Sequence, residues 1–168
     1  PTLGDGIQNI SITGTAVKSN LTANTSTIAF EEIANGTNST ATLNITNNGT
    51  ESNITAINAT LSGDNAAVFN VSEPKSEPNT SESHVLPVEY APTDRGSQTA
   101  TLTVNGTDNQ SAVETNLTVT LTGESRPPRA SINRSQIDFG GTSVIGPNQT
   151  KWVNVTNPGV VGSTLNIT

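Results

Sequence analysis

The 168-residue chain is predicted to be all-β, an immunoglobulin-like antiparallel β-sandwich in tandem repeat with a period near 109 residues. Three observations lead there. Apolar and polar residues alternate with period two in many short segments, the pattern of strands buried on one face. No segment keeps a helical period. The chain also matches itself at a spacing of about 109 residues, the length of one immunoglobulin-type unit.

In chain order, the alternation gives about seven strands, near residues 26–30, 40–47, 53–61, 67–72, 84–91, 98–105 and 113–122. In Leu43-Asn44-Ile45-Thr46 the two aliphatic residues share one face and Asn44 and Thr46 the other. Asn116 to Thr122 repeats this arrangement, as do Asn9 to Thr13, Asn70 to Ser72 and Val153 to Thr156. The inward phase names an expected core of Ile28, Phe30, Leu43, Ile45, Ile57, Leu61, Phe69, Val71, Val88, Tyr90, Leu102, Val104, Val119 and Leu121. Trp152 also lies on an alternating segment; its indole is either core or a contact for a neighbouring domain, and core is the favoured assignment. The pairs Asn35-Gly36, Asn48-Gly49 and Asn105-Gly106 are hairpin signals. Glu73 to Ser83 is polar, carries two Pro and reads as a loop.

The self-match fixes the domain boundaries. Ile10-Ser11-Ile12-Thr13-Gly14 matches Val119-Thr120-Leu121-Thr122-Gly123, and Ile28-Ala29-Phe30 matches Ile137-Asp138-Phe139. With one inserted residue, Leu43 to Asn47 matches Val153 to Asn157, and Gly49 matches Gly159. Residues 1–18 are therefore expected to hold the terminal strand of a preceding or partner unit. Residues 19–125 form a complete sandwich, and residues 126–168 the opening strands of a second. Arg126-Pro127-Pro128-Arg129 is the link, stiffened by its two Pro.

The most informative excess is in glycosylation acceptors. The chain has 21 Asn, and Ser with Thr number 45. By composition, Ser or Thr would stand two positions after about six of those Asn, by the N-x-[ST] rule. Eighteen satisfy it: Asn9, Asn20, Asn24, Asn35, Asn38, Asn44, Asn48, Asn53, Asn58, Asn70, Asn79, Asn105, Asn109, Asn116, Asn133, Asn148, Asn154 and Asn166. Only Asn47, Asn65 and Asn157 do not. This excess points to a chain exposed to an oligosaccharyltransferase, hence extracellular or on a cell surface, carrying covalent N-linked glycans. The ends of a sequon share one face of a strand, and here that face is the polar one.

Other chemistry finds little support. Seven Lys and Arg against fourteen Asp and Glu give a net charge of −7, which excludes a nucleic-acid surface. No apolar run is long enough to span a membrane. The chain opens at Pro1 on a polar stretch with no visible signal peptide, as a mature form or a fragment would. There is no Cys, hence no disulfide or thiolate site. His84 is the only His and reads as a surface-loop residue, so a hydrolytic triad has no base in reserve. Glu31-Glu32 and Asp64-Asn65 lack the dense carboxylate loop that calcium takes. Lys18, Lys75 and Lys151 would support an isopeptide bond only if buried beside a carboxylate. No catalytic, metal or cofactor site is expected, and the chain reads as a non-enzyme.

The run Ile28-Ala29-Phe30, Leu43 to Gly49, Leu61-Ser62-Gly63, Phe69, Val88-Glu89-Tyr90-Ala91-Pro92 with Gly96, Leu102-Thr103-Val104 and Leu121-Thr122-Gly123 resembles the choice-of-anchor-D and Hydin-type (ASH-like) Ig-like domains. The resemblance covers residues 26–125. It implies a seven- or eight-stranded sandwich, often in tandem on bacterial and archaeal surface proteins, with no catalytic residues. So high a sequon density departs from the family's usual pattern.

Glycans on both flat faces would leave the ends of the sandwich and the edge strands free, and would restrict contacts between units to the axial direction. The expected function is a structural subunit or segment of a densely N-glycosylated surface filament or stalk. Its partners are copies of itself, head to tail, joined through strand addition. Dense sequons without cysteine lean towards an archaeal surface. The alternatives are an adhesin or carbohydrate-binding module, which needs an exposed aromatic platform, and a spacer domain of a surface-layer protein.

Overall fold

The computed structural model describes residues 10–16, 18–50, 52–72, 79–141 and 144–168. Its centre is a hairpin of two thirteen-residue strands, β8 (Gly96–Asp108) and β9 (Glu114–Arg126). Both alternate Thr with aliphatic residues. Ala100, Leu102, Val104, Val119 and Leu121 turn inward, and the Thr side chains line the outer face, as β-branched residues favour. The earlier strands are β1 (Leu21–Ala23), β2 (Thr27–Ala29), β3 (Ile33–Ala34), β4 (Ser39–Asn47), β5 (Ile54–Ser62), β6 (Phe69–Val71) and β7 (Ser83–Tyr90). One 3-10 turn, Ala66–Val68, precedes β6.

Two sheets face each other. One has the order β1-β4-β7-β6 and is antiparallel throughout. The other has the order β2-β9-β8-β5, with β2 and β3 both pairing parallel to β9. The space between them is filled by Leu43, Ile45, Leu86, Val88 and Tyr90 from the first sheet and Leu102, Val104, Val119 and Leu121 from the second, all at 0% exposure. Phe30, Phe69 and Tyr90 cluster with ring centroids 5.1–6.0 Å apart. The Tyr90 hydroxyl donates to Gln98 Oε1, and burial raises its pKa.

Every expected strand of the complete unit is present, and β1 and β3 are additional. Three details differ from expectation. Ile57, Leu61 and Val71 are half-buried, while Ile54 is fully buried. A bulge between Thr55 and Asn58, with Ala56 at φ 52°, inserts one residue and changes which phase points inward. Of the three Asn-Gly pairs, only Asn35-Gly36 makes a β-turn, with Gly36 at φ 79° and the Thr37 N–H donating to the Ala34 carbonyl. Asn48-Gly49 lies in the crossing from one sheet to the other. Asn105-Gly106 sits inside β8, where a Cβ on Gly106 would come within 2.5 Å of Ile54 Cγ2. Gly106 therefore serves close packing, and the β8–β9 turn falls at residues 109–113.

Beyond the sandwich, β10 (Ser131–Ile132) pairs antiparallel with β11 (Val155–Thr156). Ser131 faces Thr156 as Thr22 faces Thr46, and Ile132 faces Val155 as Ala23 faces Ile45. At the other end, residues 10–16 adopt no strand, and Ile10 and Ile12 are exposed. A strand expected there has no neighbouring edge to pair with. Asn9 lies outside the described residues.

Candidate functional site

Seventeen of the eighteen sequon Asn are described. Fifteen are exposed, and Asn53 and Asn105 are half-buried. They occupy both outer faces, with Asn44 and Asn70 on the first sheet and Asn58, Asn105 and Asn116 on the second. Asn58, Asn105 and Asn116 stand side by side on three adjacent strands, because Asn58 is in register with Asn105 and Asn105 with Asn116. Neighbouring strands lie about 5 Å apart, so these three side chains share one narrow strip.

The Asn residues without a sequon behave differently. Asn47 is at 0% exposure. Its Oδ1 accepts from the N–H of Asn20 (3.2 Å) and of Gly49 (3.0 Å), and its Nδ2 donates to the Ser52 carbonyl (2.8 Å). Asn157 repeats this arrangement. Its Oδ1 accepts from the N–H of Arg129 (3.0 Å) and of Gly159 (3.0 Å), and its Nδ2 donates to the Ser163 carbonyl (2.9 Å). Both latches need glycine, since a Cβ would lie 2.9 Å from Asn47 Oδ1 at Gly49 and 2.8 Å from Asn157 Oδ1 at Gly159. Asn65 Oδ1 accepts from the Thr99 N–H (3.1 Å).

The chemistry of the amide makes this division meaningful. An N-linked sugar replaces one Nδ2 hydrogen and leaves Oδ1 as an acceptor. Where sequon Asn carry backbone contacts, they use Oδ1: Asn24 from Asn44 N–H (2.9 Å), Asn133 from Asn154 N–H (3.0 Å) and Asn53 from Thr80 N–H (3.2 Å). Asn47 and Asn157 commit Nδ2 to the backbone as well, so a sugar there would break the latch. Sequence reasoning missed their role, although the signal was present: they are two of the three Asn outside the rule, and they align with each other in the self-match.

A carboxylate fastens the N-terminal edge of the complete unit. Asp108 Oδ2 accepts from the Ser19 N–H (2.6 Å) and hydroxyl (2.7 Å), and Oδ1 from the N–H of Gln110 and Ser111 (both 2.9 Å). The Ser19 hydroxyl, then the Ser111 N–H and the Ser52 hydroxyl, hold its pKa well below the usual carboxylate range. At the link, the Arg126 guanidinium lies 2.9 Å from Glu32 and 3.0 Å from Glu124. It borders a shallow cleft that also includes Pro127, Pro128, Pro158 and Val160.

The remaining sequence candidates fall as follows. His84 lies in β7, inside the strand expected at 84–91 and not in a surface loop, half-buried beside Glu82 at 3.8 Å. Trp152 is 79% exposed and not in the core. Its position corresponds to Thr42, which points outward from β4, so the alternation at Trp152 was read in the wrong phase. Glu32 is engaged by Arg126 and Asn65 by the backbone, and no group of three or more metal-ligating side chains occurs among the described residues. Lys18 and Lys151 are exposed, whereas an isopeptide bond needs a buried Lys; Lys75 lies outside the described residues. Among the described residues, no helix is long and apolar enough to cross a membrane.

Comparison with known proteins agrees with this architecture. The chain superposes on the ASH/PapD-like domain 7 of human CEP192 with TM-score 0.54 at 16% identity, covering 71% of this chain and 95% of that one. It matches the VesB protease of Vibrio cholerae with TM-score 0.50 at 12% identity, over 62% of this chain and 32% of that one. It matches the periplasmic chaperone SfaE with TM-score 0.51 at 15% identity, over 64% and 58%. At such identities the likeness is one of fold. No curated protein matches in sequence. Residues 17–122 match the family described as ASH, abnormal spindle-like microcephaly-associated, ASPM-SPD-2-Hydin, and the chain belongs to that family.

Proposed function

We propose that this chain is a structural subunit or segment of an extracellular, densely N-glycosylated surface filament or stalk, without enzymatic activity, whose units join end to end by β-strand addition. One observation carries the reading: no described sequon Asn is buried, whereas the one fully buried Asn among the described residues, Asn47, lacks a sequon. Asn47 and Asn157, which commit Nδ2 to backbone carbonyls, lack sequons, whereas the sequon residues Asn38, Asn48 and Asn79 donate Nδ2 to side chains in exposed hydrogen bonds that can give way to a sugar. Sugars on both sheets would shield the flat faces and discourage lateral association. The ends would remain, and there Ile132, Val153, Val155 and Ile167 are exposed. Peptide mapping of the protein from its natural source tests the glycan claim, with sugar expected at most of the eighteen sequons; mostly bare Asn would overturn it. Electron microscopy of the same material tests assembly, with threads one sandwich thick expected and dispersed monomers contradicting it.

Exposed Trp152 favours a second reading, a carbohydrate-binding adhesin, because an outward indole is the platform that such a site needs. It is the only Trp of the chain, so its fluorescence should respond to a bound sugar. A glycan panel that leaves the emission unchanged rejects this reading.

A further inference from the structure

Two apolar segments of the chain are complementary, one with Ile10 and Ile12 exposed and the other with Ile137 half-buried and Phe139 exposed. In the complete unit, β2 pairs in parallel with β9, with Thr27 facing Thr120, Ile28 facing Leu121 and Ala29 facing Thr122. The ladder continues with Thr120 N–H donating to the Ser26 carbonyl (2.9 Å) and Phe30 N–H to the Thr122 carbonyl (2.8 Å). This contact buries Ile28, Phe30, Val119 and Leu121 at 9% exposure or less.

Both halves of the ladder recur elsewhere in the sequence, without each other. Ser26-Thr27-Ile28-Ala29-Phe30 is matched by Ser135-Gln136-Ile137-Asp138-Phe139, in which Phe139 is 44% exposed. Val119 to Gly123 is matched by Ile10 to Gly14, in which Ile10 and Ile12 are 82% and 90% exposed. The frame around the first half is also repeated. The β10–β11 pairing, the Asn157 latch and the Asn133–Asn154 hydrogen bond reproduce β1–β4, the Asn47 latch and the Asn24–Asn44 bond. Ser131–Ile132, Asn133 and Val153 to Gly159 thus already repeat the local contacts that in the complete unit frame the strand receiving β9.

We propose that Ile10–Gly14 of one copy adds to Ile137–Phe139 of the next as a parallel strand, with Ser11 facing Gln136, Ile12 facing Ile137 and Thr13 facing Asp138. This inference rests on the end-to-end reading above and gives it a partner, a direction and a register. Ile10 and Ile12 enter the apolar side that Phe139, Val153 and Val155 leave open, while Ser11 and Thr13 face outward with Gln136 and Asp138. The Thr13 carbonyl accepts from the Phe139 N–H, and the Ser11 N–H donates to the Ser135 carbonyl. Each copy carries one donor and one acceptor, so the contact is heterologous and propagates in one direction.

The chain has no Cys, so an introduced pair reports the contact without background. Thr13→Cys with Asp138→Cys leaves every sequon intact. In the proposed register their Cα atoms fall within the range a disulfide bridges, about 4.4–6.8 Å. Mild oxidation of assembled full chain should give a ladder of covalent oligomers on a non-reducing gel. Thr13→Cys with Gln136→Cys, two residues out of register, should give none. Filaments with equal ladders for both pairs, or with no ladder, overturn this register and leave the filament reading standing. A disulfide confined to single chains overturns the second copy as the donor. Dispersed monomers under all conditions overturn both the register and the filament.

Discussion

The complete sandwich and the segment 126–168 make the same local contacts at equivalent positions and bury different amounts of surface. Leu43 and Ile45 are at 0% exposure; their counterparts Val153 and Val155 are at 37% and 44%. Yet the glycine-dependent Asn latch closes in both, with Oδ1 to Gly N–H distances of 3.0 Å in each case. Each latch draws on residues no more than 28 positions from its Asn, all of them within the segment itself. Burial needs strands that lie 37 to 93 residues further along in the complete unit, β7 pairing with β4 and β9 with β2. The comparison separates what a segment can form by itself from what it must receive.

The largest test of this contrast is in the two cores. Leu43→Ala should destabilise the complete unit by about 2–5 kcal/mol, the cost of a cavity in a closed core. Val153→Ala should change the stability of the dispersed chain far less, by about 1 kcal/mol at most, because its side chain is already partly in solvent and no closed core surrounds it. The sole Tyr, Tyr90, reports on the first region and the sole Trp, Trp152, on the second, so one urea titration read at both chromophores distinguishes them. A large loss from Val153→Ala in dispersed chain would mean that 126–168 is already covered. If strand addition occurs, the same substitution should weaken the assembled form instead.

A smaller difference is expected at the latches. Asn47→Ala strands buried N–H and C=O groups that Asn47 now satisfies, at about 1–3 kcal/mol for each left unpaired. Asn157→Ala exposes the equivalent groups to water, and its cost should fall below about 1 kcal/mol. Equal losses at the two sites, by chemical denaturation, would show that the surroundings do not matter and that the comparison fails.

How far the sequence alone revealed this arrangement follows the same division. The strands and eleven of the central inward positions, from Ile28 to Leu121, follow from period-two alternation, because each face of a sheet repeats every second residue. The short strands β1 and β3 were not legible: they depend on the edges of β4 and β9, not on any pattern of their own. Ile54 was missed because the bulge at Ala56 changes the phase within one strand. Asn105-Gly106 misled because the same dipeptide that permits a tight turn also permits close approach of Ile54 to the sheet. Of the candidate site, the sequons were fully legible and their exposure followed from the alternation. The Asn47 and Asn157 latches and the Asp108 cap were not, since each depends on backbone groups brought together by the fold.

The Asp108 cap gives the last and smallest contrast, because the second region cannot repeat it. Pro128 stands where Ser19 stands, at the same offset of 109 residues, and proline has no N–H to offer a carboxylate. Hydrogen bonds in the complete unit, led by that from the Ser19 hydroxyl, hold the folded-state pKa of Asp108 below its unfolded value of about 3.9. A depressed acid binds its proton more readily in the unfolded chain. Its stabilisation is therefore complete above about pH 4 and is lost as pH falls from there towards the folded-state value. Asp108→Asn removes that dependence, so the stability gap between the two proteins should be widest near neutral pH and narrow steadily below pH 4. The loss should appear in the Tyr90 signal while Trp152 emission keeps its midpoint. Parallel pH profiles for the two proteins, measured by urea titration from pH 7 down to pH 2.5, would remove Asp108 from this role and leave the contacts of Ser19 with Ser52 and Asn53 to fasten the N-terminal edge.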